Sequence, residues 1–289
     1  AYRLEVSSNI SDLTGVESFT NLKYLNCSGN NLTTLNLSSL TNLIEISCAE
    51  NNLVNMSFPV LPNLTTLYIF GNQLTNLDVT NLTNLELLNC FNNDLTTLNV
   101  SNLNNLTSLH FGSNQISSID VSNLINLNSL QCSNNILTSL NISNLINLVD
   151  FACSVNLIST IDLSPLTNLT SLSCEYNLLT NLDVGNLINL NYLFCGNNLI
   201  SELDVSNSPY LIKLFANGNQ LNTLDLTSQI NLSELACSDS NLLESIFIKN
   251  GSNDFISFYN CPNLIYICAD EMQLDFIQSQ FITNGLANA

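Results

Sequence analysis

Leucine returns every 21 residues, at Leu22, Leu43, Leu64, Leu85, Leu106, Leu127, Leu148, Leu169, Leu190, Leu211 and Leu232, in one unbroken register. A fixed period of this length marks a chain assembled from copies of one small unit, none of which can bury its apolar face alone. The positions around each anchor repeat as well. Three residues beyond it stands an aliphatic residue or Phe, from Leu25 to Leu235, and five beyond is Cys in eight units. Eight beyond is Asn in ten of the eleven units, from Asn30 to Asn219, with Ser240 as the exception, and ten beyond is Leu or Ile.

Apolar side chains two residues apart, such as Leu25 and Cys27, point to the same side of an extended strand, and the residues between them point away. Strands of this kind gain a core by stacking in parallel, with a return segment closing each coil. The Asn turns the chain, and its buried amide bonds the backbone of adjacent coils. About twelve residues separate one strand from the next, too few for a full helix and two connections, so the returns are expected to be extended or 3-10. Eleven strands at ~4.8 Å give a sheet about 50 Å long.

The flanks leave the register. Leu4, Val6 and Asn9 align with Leu25, Cys27 and Asn30, but the return after Asn9 is one residue short, so 1–21 reads as a partial repeat before the repeats of 22–242. After Leu242 the spacing fails, and 243–289 reads as a cap. Phe247, Phe255, Phe258 and Tyr259 make it aromatic-rich. Met272, Phe276, Ile277 and Phe281 lie on a short amphipathic helix over 270–283, with Asn284-Gly285 as its stop.

The unit L-x-x-L-x-C-x-x-N-x-L resembles the leucine-rich repeat. The resemblance implies a β-rich right-handed solenoid of about eleven 21-residue repeats. A parallel sheet would form its concave face and short extended or 3-10 returns its convex face. The opening Asn9-Ile10-Ser11-Asp12-Leu13-Thr14-Gly15-Val16-Glu17 and the closing run from Cys261-Pro262-Asn263-Leu264 to Asp270 look like secreted or cell-surface repeat proteins of Bacteroidetes-type bacteria. That likeness implies export to the medium or the outer surface, in a group whose members commonly continue into a C-terminal sorting domain. Ala1-Tyr2-Arg3-Leu4 begins inside the pattern, as a chain does once a leader has been removed.

Charge narrows the partners. With four basic and 23 acidic residues the chain carries −19, so a phosphate backbone or an anionic lipid surface would be repelled. No apolar stretch approaches the ~20 residues needed to span a bilayer. The expected partner is a protein or a carbohydrate, with no nucleic acid, no membrane insertion and no cofactor, and the chain is expected to be a monomer.

Ten cysteines would ordinarily suggest disulfides or a metal. Eight of them, however, share one repeat position that is Ile69, Phe111 and Ala216 elsewhere, so the slot is an inward core position filled by a small hydrophobe. No C-x-x-C occurs and His110 is the sole histidine, which leaves no metal site to nominate. Cys261 and Cys268 lie in the cap, where a bridge between them stays open as an alternative to free thiols.

Binding is expected on the outward residues of the strands. Most are small and polar, but two groups are not. Tyr68, Phe70, Leu87 and Phe91 lie on neighbouring coils with His110 beside them; Tyr176, Tyr192, Phe194, Lys213 and Phe215 form the second group. Exposed rings on a rigid sheet suit stacking on a sugar or anchoring a protein; the alternative is that they pack on one another and fill the hollow. The column Asp78, Asp120, Asp162, Asp183, Asp204 and Asp225 alternates with Asn36, Asn99 and Asn141, which favours turn capping over a calcium ladder. The Thr/Ser row from Thr33 to Ser201 reads as a solvated surface, with ice binding as a lesser reading. Together these features describe a non-enzymatic extracellular recognition or adhesion module. The competing reading is a structural spacer or scaffold that displays another domain.

Overall fold

The computed structural model describes residues 2–7 and 9–283. The chain forms two compact units, Ala1–Asn147 and Leu148–Ala289. In the first, seven three-residue strands follow one another in parallel: β1 (Arg3–Glu5), β2 (Tyr24–Asn26), β3 (Glu45–Ser47), β4 (Thr66–Tyr68), β5 (Leu87–Asn89), β6 (Ser108–His110) and β7 (Ser129–Gln131). From β1 onward the pairing keeps the 21-residue offset, with Leu4 opposite Leu25, Leu25 opposite Ile46, Ile46 opposite Leu67 and Leu67 opposite Leu88. The second unit holds β8 (Asp150–Ala152), β9 (Ser171–Ser173), β10 (Tyr192–Phe194), β11 (Lys213–Phe215), β12 (Thr223–Asp225), β13 (Glu234–Ala236), β14 (Ser245–Phe247), β15 (Phe255–Ser257) and β16 (Tyr266–Cys268). Within it β8 to β11, β13 and β15 pair in order, while β12, β14 and β16 form a separate parallel sheet built from the returns. Each unit is therefore a leucine-rich-repeat solenoid, as the period predicts.

The core is the repeat read inward. In the first unit Leu25, Ile46, Leu67, Leu88, Leu109 and Leu130 are at most 1% exposed. Beside them Cys27, Cys48, Ile69, Cys90, Phe111 and Cys132 line up in one file, all at 0%. The second unit repeats the file with Cys153, Cys174, Cys195, Ala216, Cys237 and Phe258. The returns are chains of tight turns. In the first full coil Leu40 N bonds Leu37 O at 2.9 Å and Leu43 N bonds Leu40 O at 3.3 Å, so a short return still buries three leucines.

Each coil is closed by its Asn. Asn114 Nδ2 donates to the carbonyls of Cys90, Phe111 and Gly112 at 3.1, 2.9 and 3.2 Å, and its Oδ1 accepts Leu95 N at 3.0 Å. Equivalent bonds recur at Asn51, Asn72 and Asn93, and in the second unit at Asn177, Asn198 and Asn219. A second Asn file, just before the anchor leucine, was not anticipated. Asn84, Asn105 and Asn126 each donate to a carbonyl 22 residues earlier, at 2.7 to 3.1 Å, from the exposed outer edge. The residue seven past each anchor sits at positive φ, between 52° and 68°, throughout the repeats. Gly29, Gly71 and Gly218 accept this readily. Val155 at 55° and Tyr176 at 52° do not, at about 1–2 kcal/mol each.

Beyond Leu242 the structure differs from the expectation of a cap that has left the register. Ile256 pairs with Leu235 at the usual offset, Phe258 takes the cysteine slot at 0% exposure, and Cys261 takes the asparagine slot. The Cys261 thiol donates to Cys237 O at 3.3 Å, as Asn219 donates to Cys195 O. Both Cys261 and Cys268 are free, so the alternative of a bridge is not realised. One inserted residue causes the apparent break: Leu243 is buried where Leu242 was expected, and Leu242 is 49% exposed. A helix, α1 (Leu274–Thr283), follows. Ile277 is buried and the Phe276 ring meets that of Phe255, but Met272 is 61% exposed, a correction to its expected inward placement. The Phe281 side chain and the Asn284-Gly285 stop lie outside what is described.

Asn114→Ala strips a buried acceptor from Leu95 N and donors from three buried carbonyls, a loss on the order of 1–3 kcal/mol. Asn105→Ala on the exposed edge, where water replaces the amide, is expected to stay within about 0.5 kcal/mol. Urea unfolding of both variants checks this; equal losses would contradict the assigned role of the inner amide.

Candidate functional site

The outward positions of each coil are the second, fourth and sixth residues after the anchor, and nine of the ten predicted residues occupy them; Tyr176, at the seventh, sits at the positive-φ corner just beyond the strand. In the first unit Tyr68 lies across from Asn89, and Asn89 across from His110. The His110 Nε2 stands 3.1 Å from Ser108 Oγ on its own strand and 3.2 Å from Ser129 Oγ on the next, which holds the ring between two coils. Phe91 is 43% exposed, and its ring rests on the next coil: a Cβ built on Gly112 would stand 3.2 Å from Phe91 Cδ2 and 2.8 Å from Ser133 O. The absent side chain of Gly112 is thus what lets the ring lie against the backbone. Tyr68, Phe70 and Leu87 are half-buried around it. No ring pair forms among Tyr68, Phe70 and Phe91 in the described residues, so here the rings do not fill the face by packing on one another.

The second unit differs. Phe194 and Phe215 lie opposite in register and meet edge to face, with centroids 5.0 Å apart and planes at 79°. Here the self-packing alternative is partly realised. Tyr192 and Lys213 are paired in register, and Lys213 Nζ is 2.6 Å from Glu234 Oε2, an ion pair between neighbouring strands. Lys213 therefore reaches this face already engaged. Tyr176, 57% exposed, and Tyr192, 37% exposed, keep accessible rings. Around both groups the small residues are partly spoken for: Ser28 and Ser47 hydroxyls are 2.7 Å apart, and those of Ser154 and Ser173 2.9 Å.

Burial opposes ionisation of the ladder thiols. Desolvation pushes the thiols of Cys27, Cys90, Cys153 and Cys195 up to about 12, and those of Cys48 and Cys174 well above their usual range. On the return side the aspartates cap turns as expected. Asp78 Oδ1 accepts from Thr80 N at 3.0 Å and Thr80 Oγ1 at 2.6 Å, and Asp120 and Asp162 treat Ser122 and Ser164 alike. Asn141 makes the same pair of bonds to Ser143, which explains the free interchange of Asp and Asn. Among the described residues no group of three or more His, Cys, Asp or Glu is placed to hold a metal. No helix there is long and apolar enough to cross a membrane.

Two features on the strand face escaped the sequence reading. At the first strands the rings of Tyr2 and Tyr24 meet at a tilt, with centroids 5.4 Å apart and planes at 51°, Arg3 over Tyr24, Lys23 over Tyr2, and Arg3 paired with Glu5 at 3.0 Å. The signal was the 22-residue offset of the two tyrosines, hidden because Tyr2 precedes the first full repeat. The other is Glu175, a half-buried carboxylate between Cys174 and Tyr176, whose pKa is raised by burial.

Neither a protein-family model nor a curated protein matches the chain. Solved structures do. The functional domain of InlJ from Listeria monocytogenes, which includes a cysteine ladder, is 34% identical over 94% of this chain, with a TM-score of 0.72. This chain spans 54% of that one, about half its length. An internalin, InlF, from the same species is 26% identical, with a TM-score of 0.77 over 92% of this chain and 86% of that one. A leucine-rich repeat protein from Bacteroides thetaiotaomicron shares the fold at 16% identity, with a TM-score of 0.63 over 86% of this chain and 37% of that one. The likeness to leucine-rich-repeat proteins, bacterial ones included, is therefore established at the level of fold.

The capping aspartates give the fold a pH signature. Hydrogen bonds from Thr80, Ser122 and Ser164 hold Asp78, Asp120 and Asp162 below the ordinary value of 3.8. A lowered folded pKa means the unfolded chain takes up protons first. The stabilisation is complete above 3.8 and is lost as pH falls from there toward the folded values. Changing all three to Asn, which makes the same turn, should leave melting at neutral pH nearly unchanged and shrink the loss in acid. A triple variant as acid-sensitive as the parent would contradict this.

Proposed function

We propose that the chain is a non-enzymatic recognition module, secreted or held at the outer cell surface, that binds a protein through its strand faces. The observation that carries this reading is the Phe91 ring: it is 43% exposed, unpaired with another ring, and seated on Gly112. A large apolar group held rigid in solvent contributes contact area with little entropy left to lose, as interface anchors do. Phe70, Leu87 and Tyr68 surround it with further apolar area, and His110, Asn89 and Gln131 lie on the same face as polar groups able to set a ligand's orientation.

Export and a Bacteroidetes-type origin are supported by the opening and closing motifs of the sequence, and the fold is shared with the Listeria internalins. The thiols favour no enzyme: nine of the ten are buried. The acidic surface, at −19, favours neutral or basic partners over nucleic acid.

The test is binding with and without the anchors. Phe70→Ala with Phe91→Ala removes half-exposed area, so the melting temperature should shift by only a few degrees while capture of a surface-extract protein by the immobilised chain falls. Loss of glycan-array signal in place of protein capture would reassign the ligand class. Equal capture by parent and variant would favour the spacer reading, and a large drop in melting temperature would show that these rings are core.

A further inference from the structure

We infer that Glu175 is the receptor for a basic side chain, lysine or arginine, presented by the protein partner to the strand face of the second unit. This deepens the reading above and rests on it. Glu175 stands at the sixth position of its coil, and its Oε1 leans over the next coil at Gly196, 3.5 Å from where a Cβ of residue 196 would be. That Cβ would come closer still to Asn217 O, at 3.2 Å, so the bare glycine leaves the backbone beneath the carboxylate open while the carboxylate itself lies within ordinary contact of it.

The surroundings are aromatic. Phe194 lies two residues before Gly196 and therefore on the same face, about 6–7 Å away along the strand. Its edge-to-face contact with Phe215 holds the ring in place. Tyr176 follows Glu175 directly, 57% exposed and fixed at φ 52°. Carboxylate and rings at this spacing match a cation that pairs with the first and lies over a second within ~6 Å.

Charge supplies the complement. The chain has four basic residues, and its ion pairs among the described residues are Arg3–Glu5 and Lys213–Glu234. Neither includes Glu175, and no hydrogen bond to its carboxylate forms there either. Its raised pKa has burial as the one cause. A carboxylate partly stripped of water and left uncompensated is a local cost in the free protein, and an incoming cation relieves it. The face already shows the same arrangement satisfied internally, with Lys213 against Glu234 beside Tyr192.

The experiment is selection of random displayed peptides on the intact immobilised chain at ~0.15 M salt, where exposed charges separated by more than a Debye length are largely screened. The selected peptides are then measured against Phe194→Ala, Glu175→Gln and, as a control, Glu202→Gln on the exposed return side. Selected peptides are expected to carry Lys or Arg and to lose about tenfold in affinity on Glu175→Gln, with Glu202→Gln unchanged. Unliganded Glu175→Gln should melt no lower than the parent, since it removes an uncompensated charge; a lower melting temperature would mean that the carboxylate is structural and overturn the inference. Peptides lost on Phe194→Ala but indifferent to Glu175→Gln would overturn the cation receptor and leave the binding face standing. Peptides indifferent to both, or no enrichment, would overturn both.

Discussion

A polar amide at the corner of each coil makes a dry interior possible in this chain. Where a strand of three residues gives way to its return, the backbone must turn while still inside the stack, and its carbonyls and N–H groups have no water to bond. One Asn answers for four of them, three carbonyls and one N–H, across two consecutive coils, as Asn114 does for Cys90, Phe111, Gly112 and Leu95. With those groups satisfied, the leucines and thiols on either side can pack without water. Where the amide is lost, at Ser240 and Cys261, a hydroxyl and a thiol make weaker versions of the same bonds.

This division of labour frees the strand face. Because inward positions are fixed by packing and corner positions by hydrogen bonding, the second, fourth and sixth residues of each coil are less constrained and differ from coil to coil. They hold Ser in many coils, and rings, His, Lys and Glu in a few. In the first unit Gly112 leaves room for the Phe91 ring from the preceding coil, and in the second the Glu175 carboxylate lies over the bare backbone of Gly196.

Much of this was legible in the sequence. Interchange of Cys with Ile69, Phe111 and Ala216 identified a core slot, and interchange of Asp with Asn identified a turn cap. Alternation along the strand sorted outward from inward residues correctly. What remained hidden were events that break the period or depend on partners. The single residue inserted before Leu243 masked a continuing coil whose anchor leucine is replaced by Asn253 and whose cysteine slot holds Phe258. The return strands β12, β14 and β16 arise where Ile246, Phe247, Tyr266 and Ile267 bring strand formers to a segment that is elsewhere a run of turns. Pairings such as Lys213 with Glu234, or Phe194 with Phe215, depend on rotamers that a repeat pattern does not encode.

The dry spine is tested most directly by thiol reactivity. In the native protein at mildly alkaline pH the eight ladder cysteines, with zero or near-zero exposure and thiols whose ionisation burial opposes, should resist an alkylating reagent, while half-exposed Cys268 reacts. In denaturant all ten should react at once. Rapid native labelling of Cys90 or Cys174, read by peptide mass, would place their sulfurs in water and contradict the account.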